Sequence, residues 1–241
     1  YLGYFFSQKQ DKLKTFSVGF FPPLLFTGVM AALLLQQPDF GGAVFLILLF
    51  LLLSLVAGTS FTYLLGAVLL SASLAAIMIV QAPYRLERWL AFLHPFENAQ
   101  TTGYQLVQSL YALGSGNLFG QGLGAGKQKL FFLPEAHNDF ILAVLGEELG
   151  FLGLSLVFTC LGIIVYKSFR ISLRQQDLQD RLTGVGLALV IVLGAFLHAA
   201  VVLGSVPPKG LPFPFVSYGG SNLLAMSFCA GMILKIGMQR R

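Results

Sequence analysis

Long stretches of this chain are apolar and carry no charged position. Residues 15–38, 40–84, 182–208 and 210–234 contain no Asp, Glu, Lys or Arg, and each reaches or exceeds the roughly 20 residues that a helix needs to cross a bilayer. The second run is long enough for two crossings, and the polar turn AGTSFT, residues 57–62, divides it. The pattern predicts spans near residues 17–37, 41–57, 62–80, 140–166, 183–205 and 220–237. Backbone in hydrocarbon must satisfy its own hydrogen bonds, and the period-two alternation of a barrel is absent, so the spans are helices. The expected fold is all-α: a polytopic transmembrane helical bundle, with residues 1–241 forming one membrane domain.

The interruptions carry the chemistry. The segment 81–138 is long for a loop, and loops of that length are usually functional or disordered. Its Leu, Phe and Tyr content argues against disorder, and GYQLVQSLYAL, residues 103–113, places Leu106, Val107, Leu110, Tyr111 and Leu113 at helical spacing. That predicts an amphipathic helix at the membrane interface. The glycine-rich run GSGNLFGQGLGAGKQKL, residues 114–130, is not a nucleotide loop: Gln121 stands where such a loop needs Gly, and Gln128 follows Lys127 where Ser or Thr is required. It is either a plain flexible loop or a backbone that approaches an anion with Lys127 and Lys129 beside it. The loop 204–222 has four prolines and cannot be a continuous helix. It is either a rigid turn or a preordered wall presenting Lys209, Ser217 and Tyr218. In QQPDFGG, residues 36–42, Asp39 is placed to cap the next helix.

Composition agrees with the membrane reading. The chain is 56% hydrophobic and 10% charged, against about 25% charged in soluble domains. The formal charge of +5 does not mark a nucleic-acid surface, because the basic residues flank spans and form no single patch. Six spans put both ends on one side. That side holds Lys9, Lys12, Lys14, Lys167, Arg170, Arg174, Arg181, Lys235, Arg240 and Arg241, ten in all, against five on the other, Arg85, Arg88, Lys127, Lys129 and Lys209. The cytoplasmic side usually carries the excess, so both ends are expected inside and the loops 81–138 and 204–222 outside. Cys160 and Cys229 fall within spans and read as small buried groups rather than a disulfide pair. The opening YLGYFF reads as the tail of a helix already under way, as in the C-terminal portion of a longer protein.

Ionisable residues gather in FFLPEAHNDFILAVLGEELG, residues 131–150. Asp139 enters the fourth span. It reads either as a helix cap or as a carboxylate whose partial desolvation raises its pKa toward that of a general base. Glu135 and His137 are solvated loop residues, substrate-orienting groups or ligands of a metal whose identity the spacing leaves unknown. Glu147 and Glu148 lie about 12–14 Å further along at 1.5 Å per residue, at a depth where charge is costly and often functional. At about 100° per residue, Glu147 falls within roughly 80° of Asp139 and Glu148 on the opposite side, so only Glu147 is placed to share a cavity with Asp139.

QQPDFG, APYRLERWLAFLHPF, GYQLVQSLYALGSGNLFGQGLG, KQKLFFLPEAHNDFILAVLGEELGFLG and PPKGLPFPFVSYGGSNLL follow one another over residues 36–224. Together they resemble the SEDS family (shape, elongation, division and sporulation), which includes FtsW, RodA and SpoVE. KQKLFFLPEAH and PPKG look more like the division and sporulation members. The resemblance implies about ten transmembrane helices, of which these six are the last. It implies a glycosyltransferase that polymerises lipid II into peptidoglycan at the outer face of the bacterial cytoplasmic membrane. The nascent glycan, a class B penicillin-binding protein and other divisome proteins are the implied partners.

The family's key acid falls on Asp139, its outer-loop lysine on Lys209 and the arginine of its PYR on Arg85. Glycosyl transfer from a lipid pyrophosphate needs a base for the acceptor hydroxyl and positive charge for the leaving group. The resemblance thus assigns Asp139 as the base. Lys209, Arg85, Lys129 and Ser217 become the pyrophosphate-binding set, or a divalent cation such as Mg or Mn shares the charge, with Glu135, His137 and Glu147 in support. An α-linked donor giving a β-linked glycan implies inversion. Asn138 departs from the family's usual Thr, His198 and Val202 from its usual Asn, and Asn222 from its usual Ser. Two alternatives remain: a lipid II transporter working through Glu147 and Glu148, and a division scaffold.

Overall fold

The computed structural model describes residues 1–126 and 133–239. Among them the chain is helical, without strands. The helices are α1 (Leu2–Gln8), α2 (Phe21–Gln36), α3 (Phe40–Ala57), α4 (Phe61–Gln81), α5 (Pro83–Leu93), α6 (Tyr104–Gly116), α7 (Ile141–Leu173), α8 (Leu178–Val202) and α9 (Gly220–Met238). Six helical segments are long and apolar enough to cross a membrane: Phe16–Gln36, Phe40–Ala57, Phe61–Gln81, Ile141–Leu173, Leu178–Val202 and Gly220–Met238. The all-helical, polytopic architecture is the one the apolar runs predict.

Local chemistry sets the boundaries. The first span opens as a π-helical turn, Phe16–Phe20, and continues as α2 with proline in its first turn. Pro22 and Pro23 lack amide donors, and the first turn of a helix is where such donors have no intrahelical partner. Asp39 caps α3, accepting from Gly42 N at 2.8 Å, an interaction of about 1 kcal/mol. The same helix ends on Gly58 at φ 91°, with Gly58 N donating to Leu55 O and Thr59 N to Ser54 O. That left-handed position suits glycine.

The span expected as one continuous helix over 140–166 is longer and broken. Gly150 sits at φ 66°, ψ −167° inside α7, a region essentially restricted to glycine. In an unbroken helix Phe151 N and Leu152 N would donate to Glu147 O and Glu148 O. The glycine-rich segment after α6 takes those four groups. Gln121 N and Gly122 N donate to Glu147 O and Glu148 O at 2.9 and 3.0 Å, while Phe151 N and Leu152 N donate to Asn117 O and Leu118 O at 2.9 and 3.1 Å. Irregular backbone in a membrane protein is tolerated when other protein groups re-satisfy it, and here they do. Glycine is required on both sides of the contact, since a Cβ at Gly120 would collide with Glu148 O. Residues 117–122 therefore act as an inserted strap rather than a free flexible loop.

The chain forms two compact units. The first comprises Tyr1–Ile77, Val165–Leu193 and Ser227–Arg241. Phe6, Phe20, Phe50, Leu53, Leu64, Leu182 and Val185 form its core. Small residues bring its helices together: Gly3 lies against Thr183, and Gly184 against Ser172. Close packing of this kind holds membrane helices where hydrocarbon surrounds them and burial supplies little driving force.

The second unit comprises Met78–Ile164 and Gly194–Met226 and carries the polar cluster. The amphipathic helix expected over 103–113 is α6. It buries Leu106, Val107, Ala112 and Gly116 and exposes Tyr111. Its Ser109 hydroxyl donates to Val202 O at 2.9 Å, satisfying a carbonyl at the end of α8. Gly116 meets the backbone of Gly146 on α7 directly. α5 is a helix within the segment 81–138 that the sequence pattern reads as loop before residue 103.

Candidate functional site

Within the second unit a cavity of about 180 Å³ is lined from four places. Arg88, Ala91 and Phe92 come from α5, Gln105 and Leu106 from α6, Asp139 and Phe140 from the turn before α7, and Pro208, Lys209 and Gly210 from the proline-rich loop. A carboxylate and two cations thus share one small space.

Each contributor has a local cause. Pro83 starts α5 in its first turn, and Arg88 and Phe92 then fall four residues apart on one face. The turn before α7 is organised by Glu135, at φ 53°. Its carbonyl accepts from Asn138 N and Asp139 N at 3.0 Å each, and its carboxylate accepts from Asn138 Nδ2 at 2.8 Å. The proline-rich loop is stitched to this turn. The Ser217 hydroxyl donates to Asn138 O at 2.7 Å and accepts from Phe213 N at 2.7 Å, while Tyr218 N donates to His137 O at 3.0 Å. On the other side of the loop, His198 Nδ1 lies 2.6 Å from Leu211 O. These bonds fix the backbone beside Lys209. Gly210 completes the approach: a Cβ there would stand 3.0 Å from Asp139 Oδ2, so glycine lets the loop lie against the carboxylate.

Asp139 is half-buried, and its carboxylate accepts no hydrogen bond from the described residues. It does not cap α7. Burial raises its pKa above the ordinary value, and the neighbouring Glu135 carboxylate raises it further. Both causes disfavour the charged form. A desolvated carboxylate with no bonds to hold its charge is a stronger proton acceptor than a solvated one, which is the property a general base needs.

The other sequence candidates separate. Lys209 joins Asp139 at the cavity, but Arg85 does not line it. Arg85 Nε donates to Tyr84 Oη at 2.8 Å and its Nη1 to Met78 O at 3.2 Å. Arg88, one turn on, is the α5 cation that faces Asp139's cavity. Ser217 acts through backbone, and the His137 side chain is exposed. Lys127 and Lys129 lie outside the described residues. Glu147 is buried at 2% exposure but lines no part of this cavity. A Cβ on Gly126 would lie 2.9 Å from Glu147 Oε2 and 3.0 Å from Glu148 Oε1, so the two carboxylates converge there, and Gly124 N donates to Glu148 Oε2 at 3.1 Å. The two neighbouring acids thus both face the segment that follows the strap. Among the described residues no three of His, Cys, Asp and Glu come together as a metal site. The cavity offers a single carboxylate beside two cations, so a divalent ion there would take most of its ligands from water and substrate phosphates.

The profile of the FtsW/RodA/SpoVE family, described as cell cycle protein, matches residues 1–241. The chain belongs to that family. A probable peptidoglycan glycosyltransferase FtsW of Trichlorobacter lovleyi is 42% identical over 236 residues, covering 98% of this chain and 62% of that protein. Stage V sporulation protein E of Bacillus subtilis is 35% identical over 241 residues, 100% of this chain and 66% of that protein. The chain therefore spans less than two thirds of the length of either relative. Among solved structures, a chain of a peptidoglycan synthase complex coordinating polymerization and crosslinking superposes with TM-score 0.75 and 26% identity, covering 98% of this chain and 66% of that one. The rod shape determining protein RodA of Thermus thermophilus superposes with TM-score 0.62 and 26% identity, covering 96% and 61%. The chain is thus a multi-pass integral membrane protein of this family. Arg88 is the site residue that the sequence reading passed over; its signal was the spacing of PYRLERWLAF, which becomes helical once Pro83 is taken as a start.

Proposed function

We propose that the Asp139 cavity is the glycosyl-transfer centre of a peptidoglycan polymerase that acts on lipid II. One observation carries the reading: a half-buried carboxylate with raised pKa, free of any capping bond from the described residues, shares a cavity with Lys209 and Arg88. Asp139 takes the proton of an acceptor sugar hydroxyl as that oxygen bonds to the donor's anomeric carbon. The anomeric bond to the pyrophosphate oxygen breaks in the same displacement, and Lys209 and Arg88 stabilise the departing charge. A single base and a single displacement invert the anomeric centre, turning an α-linked donor into a β-linked glycan. No covalent intermediate is needed, and no step is assigned to a metal.

The names of the relatives support a role in division or sporulation. Likeness to a peptidoglycan synthase complex supports a class B penicillin-binding protein as the crosslinking partner, alongside other divisome proteins. The Lys and Arg balance supports an outward-facing site with both chain ends in the cytoplasm. A transporter reading would draw on the break in α7 and the buried Glu147. The strap at 117–122 fills that break with backbone and occupies the Glu147 and Glu148 carbonyls, and this favours the enzyme.

The deciding experiment purifies the full-length protein with its penicillin-binding partner and supplies labelled lipid II. Wild type is expected to make glycan polymer, and Asp139→Asn to make none at equal thermal stability. Polymer from both would overturn the assignment of Asp139.

A further inference from the structure

A second polar recess lies in the first unit and owes nothing to the Asp139 chemistry. Lys167 and Arg170 on α7, and Arg174 directly after its last residue, Leu173, occur at i, i+3 and i+7, within about 60° of one another at 100° per residue. With Ile171, Gln175 and Gly237 of α9 they line a recess of about 320 Å³. The two helices meet here because residue 237 is glycine: a Cβ would lie 2.9 Å from Ile171 Cγ2. No acid lines the recess. Among the described residues none of the three cations enters a salt bridge. Asp177, the acid next along the chain, accepts instead from Asp180 N at 2.9 Å.

Depth identifies the ligand. The charge-free stretch 151–166 covers about 24 Å at 1.5 Å per residue, most of the roughly 30 Å hydrocarbon core. Lys167 therefore stands at the edge of the core, directly after the exposed Tyr166, an aromatic of the kind enriched at that boundary. Arg170 and Arg174 follow in the headgroup layer. Like charges gathered around a recess repel one another unless an anion joins them, and two guanidinium groups offer paired donors that match phosphate oxygens. Basic pockets between transmembrane helices are a recurrent form of lipid headgroup site. We infer that this recess binds the phosphodiester headgroup of an anionic phospholipid, with Arg170 and Arg174 as the principal contacts and Lys167 as a supporting charge.

Native mass spectrometry of the full-length protein in micelles, titrated separately with phosphatidylglycerol, phosphatidylcholine and inorganic phosphate, tests this. Removing two basic contacts in Arg170→Gln/Arg174→Gln is expected to weaken phosphatidylglycerol retention about 30-fold. Lys12→Gln/Lys14→Gln, which removes two cations outside the recess, is expected to change it no more than a few-fold. Arg170→Lys/Arg174→Lys, which keeps the charge, should recover part of the loss and provides the comparison if the glutamine variant folds poorly. Equal weakening by the Lys12/Lys14 variant would overturn the site in favour of diffuse surface charge. Equal retention of phosphatidylcholine would overturn the anionic headgroup. Displacement of phosphatidylglycerol by inorganic phosphate at similar concentration would replace the lipid with a soluble anion.

Discussion

Asp139, Lys209 and Arg88 line one recess of the molecule, and Lys167, Arg170 and Arg174 line another. Both present cations to a phosphate-sized space. Only the first includes a carboxylate, and that carboxylate is half-buried, has a raised pKa and accepts no hydrogen bond from the described residues. Cations alone hold an anion in place. A proton acceptor beside them adds the ability to activate a hydroxyl while the anion departs. The comparison therefore turns on one side chain, and the largest expected effect comes from removing it.

Asp139→Asn makes the first recess as purely cationic as the second. Polymerisation is expected to fall by about 10²–10⁴, the usual contribution of a general base, while lipid II retention in a pull-down is unchanged or stronger. A carboxyl with raised folded pKa costs stability above that pKa, where it is ionised, and not below its unfolded value. At neutral pH the Asn variant should therefore melt no lower than wild type, separating lost chemistry from lost folding. A drop in polymer that tracks a drop in melting temperature would break the comparison.

Removing cations from the first recess comes next. Lys209→Met and Arg88→Gln are each expected to lower turnover by about 10²–10³, the scale of one lost charge-stabilising donor. Arg85→Gln should cost less, since Arg85 is turned toward Tyr84 and Met78. Steady-state rates of glycan formation measure all three, and a larger loss from Arg85 than from Arg88 would return the site to the arrangement expected from the family resemblance.

Gly150→Ala changes no charge and supplies the stability reference for these variants. Its φ of 66° and ψ of −167° cost a non-glycine residue about 1–3 kcal/mol, and a new Cβ would collide with Gly120 N and Leu118. A lowered melting temperature is expected from the loosened strap. An unchanged one would mean that the 117–122 segment does not hold the break.

Glu135 tunes the base without touching the charge count of the cavity lining. Its carboxylate raises the Asp139 pKa, second to burial, so Glu135→Gln should lower that pKa. The base is active when deprotonated, and the acid limb of the pH–rate profile should move to lower pH. A shift to higher pH, or none, would remove Glu135 from the electrostatics of the site.

The six membrane helices were legible because their signal is composition over 20 residues, which neighbours do not alter. Asp139 and Lys209 were legible through motif resemblance, and the structure brings them to one cavity. Three features were not. The break in α7 depends on a single glycine conformation and on a strap whose bonds come from residues about 30 positions earlier. Arg88 was hidden because α5 follows α4 after one residue, and an amphipathic helix there is masked by the preceding apolar run. Glu147 was drawn toward Asp139 by ideal helix geometry, which describes an isolated helix and knows nothing of the strap packed beside it.

The smallest effect belongs to His198. Its ring is buried at 1% exposure, Nδ1 lies 2.6 Å from Leu211 O, and Nε2 has no partner among the described residues. A carbonyl cannot donate, so Nδ1 is the donor in this bond. The edge of Phe213 packs against it, with ring centroids 5.4 Å apart. His198→Leu removes one hydrogen bond, worth about 0.5–1.5 kcal/mol, but also removes the unsatisfied Nε2, so the change in melting temperature should be slight. Leu211 is two residues from Lys209, and a loosened loop carries Lys209 away from Asp139. A few-fold fall in polymerisation is therefore expected from His198→Leu and a smaller one from His198→Asn, whose amide can still donate to Leu211 O. In a Lys209→Met background neither substitution should matter further, because the group that the loop positions is already gone. A full additional loss in that background would mean that His198 acts on the cavity by another route.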